Sequence, residues 1–160
     1  MVSTNVWLVP AAAAGFAAAI TLLLGARGRY AHVLITGSSM EPTYHDGDRI
    51  LVRRLPHQRF RVGDVVVIEC PDDRGSWSST PPGRRDLNRI WMIKRVMALP
   101  GDPVPRALVP ALTTVPEEFV PPGQVVVLGD AGRRSYDSKH VGYFPMDRVL
   151  GVALRPAASH

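Results

Sequence analysis

Beyond Tyr30 the apolar stretches are short, rich in Val and Ile, and cut repeatedly by Pro and Gly, of which the chain holds 15 and 14. Proline removes a backbone donor and clashes inside a helix, glycine costs a helix about 1 kcal/mol, and branched side chains suit a pleated surface. Long helices therefore have little room. The strand candidates are His32–Ile35, Arg49–Arg53, Val65–Cys70, Ile90–Leu99, Val125–Leu128 and Val149–Leu154. Turn clusters separate them at Asp46-Gly47-Asp48, Arg61-Val62-Gly63-Asp64, Pro100-Gly101-Asp102 and Pro121-Pro122-Gly123. The expectation is a mainly β domain over residues 25–155, small and barrel-like, with few short helices. Within it the polar, turn-rich segment 71–88 reads as an exposed loop, with Trp77 either a surface anchor or a plug over the core. Residues 156–160 read as a frayed tail.

Ahead of this domain, Val6 to Leu24 are 19 residues without a charge. At about 1.5 Å per residue they just cross a hydrocarbon core of about 30 Å. A cleaved secretion signal competes, but it would need a basic start, an apolar region of about 7–15 residues and a small-x-small exit. Residues 1–5 contain no Lys or Arg, and the exit is Gly25-Ala26-Arg27-Gly28-Arg29. The segment 6–24 is thus expected to be a retained transmembrane anchor, with 1–5 a short N-terminal tail. Arg27 and Arg29 lie after it, which by the positive-inside tendency alone weakly favours a cytoplasmic domain.

The formal charge of +5 comes from 17 Arg and 2 Lys, scattered without a block of like charges. That argues against a nucleic-acid tail and suits a solvated surface or contact with anionic lipid. Cys70 is the single cysteine, so no intrachain disulfide can form. It reads as a small buried hydrophobe.

A serine hydroxyl is a poor nucleophile until a base takes its proton, and the usual base is histidine. His57 and His160 fall in a polar loop and the tail, and His32, His45 and His140 lack an evident strand-held partner. Lysine can substitute when burial disfavours its charged form. Alternation along Ile90–Leu99 places Lys94 on one face with Met92, Val96 and Ala98, and Arg95 on the other. Gly37-Ser38-Ser39-Met40-Glu41-Pro42-Thr43 puts a serine on a glycine-flanked turn just before a strand, where backbone amides can face a developing oxyanion.

The Ser39-Met40-x-Pro42-Thr43 block and the Gly47-Asp48 that follows it occur here in a recognisable order with three later features. These are Gly63-Asp64-Val65-Val66-Val67, then Lys94-Arg95-Val96 with Leu99-Pro100-Gly101-Asp102, then Gly129-Asp130 with Ser135-x-Asp137-Ser138 and Gly142. Over roughly residues 30–154 the chain resembles the type I signal peptidases, serine proteases with a Ser–Lys dyad, and is similar to their small single-span members.

The resemblance implies Ser39 as nucleophile, Lys94 as general base and Ser135 as the hydroxyl that orients the lysine. It implies that Asp137 braces the active-site loop through a neighbouring cation. In this chain that cation is Lys139 where the family has arginine. Gly37 stands where some members place an oxyanion-hole serine, and Ala131 replaces the asparagine that follows Gly129-Asp130. Ile35, Thr36, Met40, Tyr44 and Ile93 fall at positions lining the family's substrate pocket. The implied activity is removal of signal peptides from exported preproteins, bound as an extended strand with small residues first and third before the cut. No metal or cofactor is implied; Asp46-Gly47-Asp48 reads as a turn. The implied location is the plasma membrane, single-pass, with the catalytic domain on the extracytoplasmic side.

Two alternatives share these motifs. One is a maturation protease dedicated to a single client peptide. The other is a catalytically inactive module that holds peptides in the same groove. A self-cleaving repressor would carry a DNA-binding helix-turn-helix where this chain has an uncharged apolar segment.

Overall fold

The computed structural model describes residues 29–54, 60–72, 74–80, 89–132 and 135–154. The strands are β1 Tyr30–Leu34, β2 Arg49–Arg53, β3 Val65–Glu69, β4 Trp91–Ala98, β5 Gln124–Leu128, β6 Phe144–Pro145 and β7 Val149–Leu154. One short helix, α1 at Ser138–Val141, and 3-10 turns at Pro110–Leu112 and Met146–Arg148 complete the elements. The strands pair antiparallel in the order β1-β2-β7-β3-β4-β5-β6, a sheet curled into a half-barrel. Each of the six expected strands is present, with ends moved by at most two residues. The proposed anchor 6–24 and both tails lie outside the described residues; among the described residues no helix is long and apolar enough to cross a membrane.

The central strand β3 shows why the sheet is stable. Its first four residues, Val65-Val66-Val67-Ile68, are all apolar because both faces of the sheet are covered. Val65 and Val67 join an inner cluster with Ile35, Met40, Tyr44, Ile50, Val52, Ile93 and Ala153. Val66 and Ile68 join an outer cluster with Val96, Val125, Val127, Phe144 and Val152. Each fully buried aliphatic side chain contributes roughly 1.5–3 kcal/mol.

The expected face of β4 needs one correction. Met92 and Val96 pack together in the outer cluster, but Ala98 lies in a third cluster with Val104, Val109, Leu112, Val120 and Val126. The β4–β5 register shifts between Val96 and Ala98, and the bulge turns Ala98 away from the row that Lys94 occupies.

Trp77 proves to be a plug. Its ring meets Phe144 edge to face, with centroids 5.3 Å apart, and packs on the outer cluster. The loop carrying it is stapled through Glu69, which is buried at the end of β3. Glu69 accepts from Ser78 and, at 2.5 Å, from Arg89, while Arg148 donates to the carbonyls of Ser78 and Thr80. Burial pushes the Glu69 carboxyl up, but the Ser78 and Arg89 bonds outweigh it and hold the group below the usual range. The described part of segment 71–88 is therefore tied to the sheet, and Pro71 is itself buried. Cys70 is half-buried, less enclosed than expected.

Two features of the sheet position the site. β1 is an edge strand, paired only with β2. β4 pairs with β3 from Trp91 to Arg95, but with β5 only from Arg95 onward, so the other edge of Trp91–Lys94 is unpaired. These two free edges border one groove.

Candidate active site

The turn after β1 is tethered at every step. Ile35 N–H donates to Asp48 O (2.9 Å) and Gly47 N–H returns a bond to Ile35 O (3.0 Å). Gly37, at φ 90°, takes the left-handed conformation that glycine adopts without steric cost, and its N–H donates to Asp46 Oδ1 at 2.7 Å. Asp48 Oδ2 accepts from His45 N–H, so both carboxylates of the Asp46-Gly47-Asp48 turn are engaged in loop geometry. Ser38 O accepts from Glu41 N–H, and Ser39 O accepts from Ala131 N–H at 3.1 Å. Met40 then plunges into the core, 1% exposed. The chain before and after Ser39 is thereby fixed.

Lys94 reaches this serine from β4. Its Nζ donates to Ser39 Oγ at 2.9 Å and to Ile93 O at 3.0 Å, and the residue is 3% exposed. Burial pushes the ammonium below the ordinary lysine range; Asp137 and Cys70 pull the other way, and Lys139 adds to the depression. The two residues, 55 apart in sequence, form a hydrogen-bonded pair with the amine held out of water. No histidine bonds Ser39 among the described residues: the His45 ring Nδ1 lies 4.0 Å from Asp48 Oδ2, and His140 stacks on Tyr136.

Behind the pair, Asp137 is wholly buried and caps α1. It accepts from Gly129 N–H (2.9 Å), Lys139 N–H (3.0 Å) and Lys139 Nζ (2.9 Å). Burial raises its pKa, but these bonds and the nearby Ser135 hydroxyl outweigh that and keep the carboxyl below its usual range. Lys139 Nζ also donates to Gly132 O at 2.8 Å, so a lysine bridges the loop and the carboxylate by single-point contacts. Ser135 is 1% exposed, and its Oγ makes no hydrogen bond of good geometry, to Lys94 or to any other described group. It packs against Gly129, where an added Cβ would lie 2.1 Å from Ser135 Oγ and 2.5 Å from Ser39 O.

One bracing unit was not anticipated from sequence. Arg95 clamps Asp130 with two bonds, Nε to Oδ1 at 2.9 Å and Nη2 to Oδ2 at 2.6 Å, and donates to Gly63 O. Thr43 donates to Asp130 Oδ2 at 2.5 Å, tying the segment after Ser39 to the loop that carries Ala131. The Arg95 bond, outweighing burial with help from Thr43, holds Asp130 below the usual carboxylate range. Alternation already set Arg95 opposite Lys94; the signal to follow was the acid beside Gly129.

The groove that ends at this pair measures about 310 Å³ and is bounded by Val33–Thr36 on one side and Trp91–Lys94 on the other, over Val67. Of the residues expected to line a substrate pocket, Ile35, Thr36 and Ile93 border it. Met40 and Tyr44 do not; they are packed in the inner cluster behind it. Val33, Leu34, Trp91 and Met92 border the groove as well and were not anticipated.

Comparison with known proteins agrees with this architecture. The pattern of the family described as signal peptidase, peptidase S26, matches residues 7–108 and 105–157. A probable signal peptidase I-1 from Synechocystis sp. is 32% identical, the match covering 75% of this chain and 67% of that protein. Signal peptidase I from Bacillus licheniformis is 28% identical over 75% and 72% of the two chains. Subunit 1a of the mitochondrial ATP-independent inner membrane protease of Arabidopsis thaliana is 32% identical over 75% and 66%. The chain belongs to the signal peptidase, peptidase S26 family, and is a serine endopeptidase of the kind that removes signal peptides.

Proposed function

We propose that this protein is a membrane-anchored signal peptidase that cleaves exported preproteins through an acyl-enzyme formed on Ser39, with neutral Lys94 as general base. The carrying observation is the 2.9 Å contact between Ser39 Oγ and an amine that is 3% exposed. Burial favours the uncharged amine, whose lone pair can accept the hydroxyl proton. The alkoxide attacks the scissile carbonyl, and the oxyanion hole would rest on backbone amides that include the Ser39 N–H. The protonated Lys94 returns its proton to the leaving amine, giving an ester on Ser39. Lys94 then takes a proton from water, which attacks the ester; as the C–O bond to Ser39 breaks, Lys94 returns that proton to Ser39 Oγ, releasing the acid product and restoring the neutral amine.

Ser135 is assigned to orient Lys94: its buried hydroxyl lies near Asp137 but makes no hydrogen bond of good geometry among the described residues, and a buried polar group is costly until it is satisfied. Asp137 and Lys139 support the loop that presents it. The free edges of β1 and of β4 ahead of Arg95 offer backbone groups on both sides of the groove, the setting in which an extended peptide is bound by main-chain hydrogen bonds. Ile35 and Ile93 face the residue next to the cut, and Thr36 borders the groove beside them. Residues 6–24 supply the anchor, and the catalytic domain lies on the extracytoplasmic side, where preproteins emerge.

Ser39→Ala tests the nucleophile. Purified full-length Ser39→Ala in detergent is expected to lose at least about a thousandfold in kcat/KM on a preprotein substrate, as removal of an activated nucleophile does. Ser38→Ala, one residue away, is expected to retain cutting. Cleavage by Ser39→Ala at the wild-type rate would remove Ser39 from the mechanism.

A further inference from the structure

We propose that the groove carries a selective site for an apolar side chain at the second residue before the scissile bond, formed by Leu34 and Met92. This rests on the extended-peptide reading above. Along β1 and β4 the residues bordering the groove divide by parity. Val33, Ile35, Trp91 and Ile93 face the inner cluster. Leu34 and Met92 face the other way: Leu34 is 60% exposed, and Met92 packs partly against the outer cluster. Both border the groove.

A peptide laid between two strand edges alternates as the strands do, so consecutive side chains point to opposite faces. If the residue at the cut faces Ile35 and Ile93, its predecessor faces the opposite side. Going back from the nucleophile, that side begins with the polar pair Thr36 and Lys94. One strand period further it becomes the apolar pair Leu34 and Met92, about 6.6 Å along at 3.3 Å per residue. A side chain reaching back from the second position covers both.

The chemistry there selects for apolar substituents. Leu34 leaves apolar surface in water that a substrate side chain would remove from solvent. Met92 is unbranched and polarizable, so it can adapt to side chains of different shape. Neither offers a partner to a charge, and a carboxylate or ammonium desolvated against them would be unpaired. Selection at the second position differs from the small-residue requirement at the first and third, because it comes from the opposite face of the groove.

The test uses preprotein peptides identical except at the second position, with small residues kept at the first and third. Full-length wild type in detergent is expected to cleave the Leu and Met peptides about tenfold faster in kcat/KM than the Asp and Lys peptides. Leu34→Ser, an exposed change, is expected to shrink that ratio to about twofold, and Met92→Ala to shrink it similarly. Because each ratio is internal to one variant, a general loss of activity does not affect it. A flat profile in wild type, or an unchanged ratio in both variants, overturns the proposal. A failure of the Ser39–Lys94 reading shows separately, as cutting by Ser39→Ala.

Discussion

Lys94→Met is expected to lower kcat/KM by about a hundred- to ten-thousandfold, the range a positioned general base contributes, while raising the unfolding temperature of the protein. Both effects come from one fact, the burial of an amine whose charged form the site disfavours. Methionine matches the length and apolar character of the lysine stem and removes only the titrating group, so the place of the side chain beside Val66, its register partner on β3, is kept. The sign of the stability change follows from linkage. The folded-state pKa of Lys94 lies below its unfolded value, so the unfolded chain binds more protons between the two. The burial penalty is complete below the folded pKa and is relieved as pH rises toward the ordinary lysine value of about 10.4. Wild type should therefore gain stability relative to Lys94→Met across that window, measured by thermal unfolding at a series of pH values. Equal stability of the two proteins at all pH values would mean that Lys94 carries no such penalty. This is the trade between activity and stability expected where a site holds a strained or disfavoured group.

Gly129→Ala is expected to damage both activity and folding although residue 129 takes no part in the chemistry. Its Cβ would fall 2.1 Å from Ser135 Oγ, 2.5 Å from Ser135 Cβ and 2.5 Å from Ser39 O. Swinging Ser135 Oγ aside would still leave the contacts with Ser135 Cβ and with Ser39 O, which is backbone and is also bonded to Ala131 N–H. Overpacking of this kind costs about 1–3 kcal/mol, and displacing a reacting group by about 1 Å costs about a hundredfold in rate. A kcat that falls about a hundredfold with a modest drop in unfolding temperature is the expected result. Wild-type kcat in a folded Gly129→Ala protein would show that the approach of the two loops does not set the position of Ser39.

How far the fold was legible follows from where its information resides. The strands were legible because β3, β4, β5 and β7 are written in branched apolar residues bounded by Pro and Gly, a signal local to each segment. β6 was not, since two residues, one of them Pro145, carry no period and exist as strand only through pairing with Gln124 and Val125. Helix α1 was hidden similarly: four residues of helix depend on Asp137, whose carboxylate caps the turn as well as holding Lys139. Bringing Ser39 to Lys94 is a long-range event, which periodicity cannot show; the order of motifs suggested it. The Arg95–Asp130–Thr43 clamp joins three segments, and each of those residues reads as an ordinary polar position by itself. Met40 and Tyr44 fall at pocket-lining positions by resemblance, with core packing the other reading of Tyr44, and both are buried in the inner cluster beneath the serine turn.

The most direct test of the account is the pH dependence of kcat/KM for full-length enzyme on one preprotein peptide. A Ser39–Lys94 dyad predicts a rate that rises with pH along a single limb set by Lys94, at a pKa below the ordinary lysine value and unaltered by His45→Ala or His140→Ala. A limb that disappears in either histidine variant, or that persists at the wild-type rate in Lys94→Met, would contradict it.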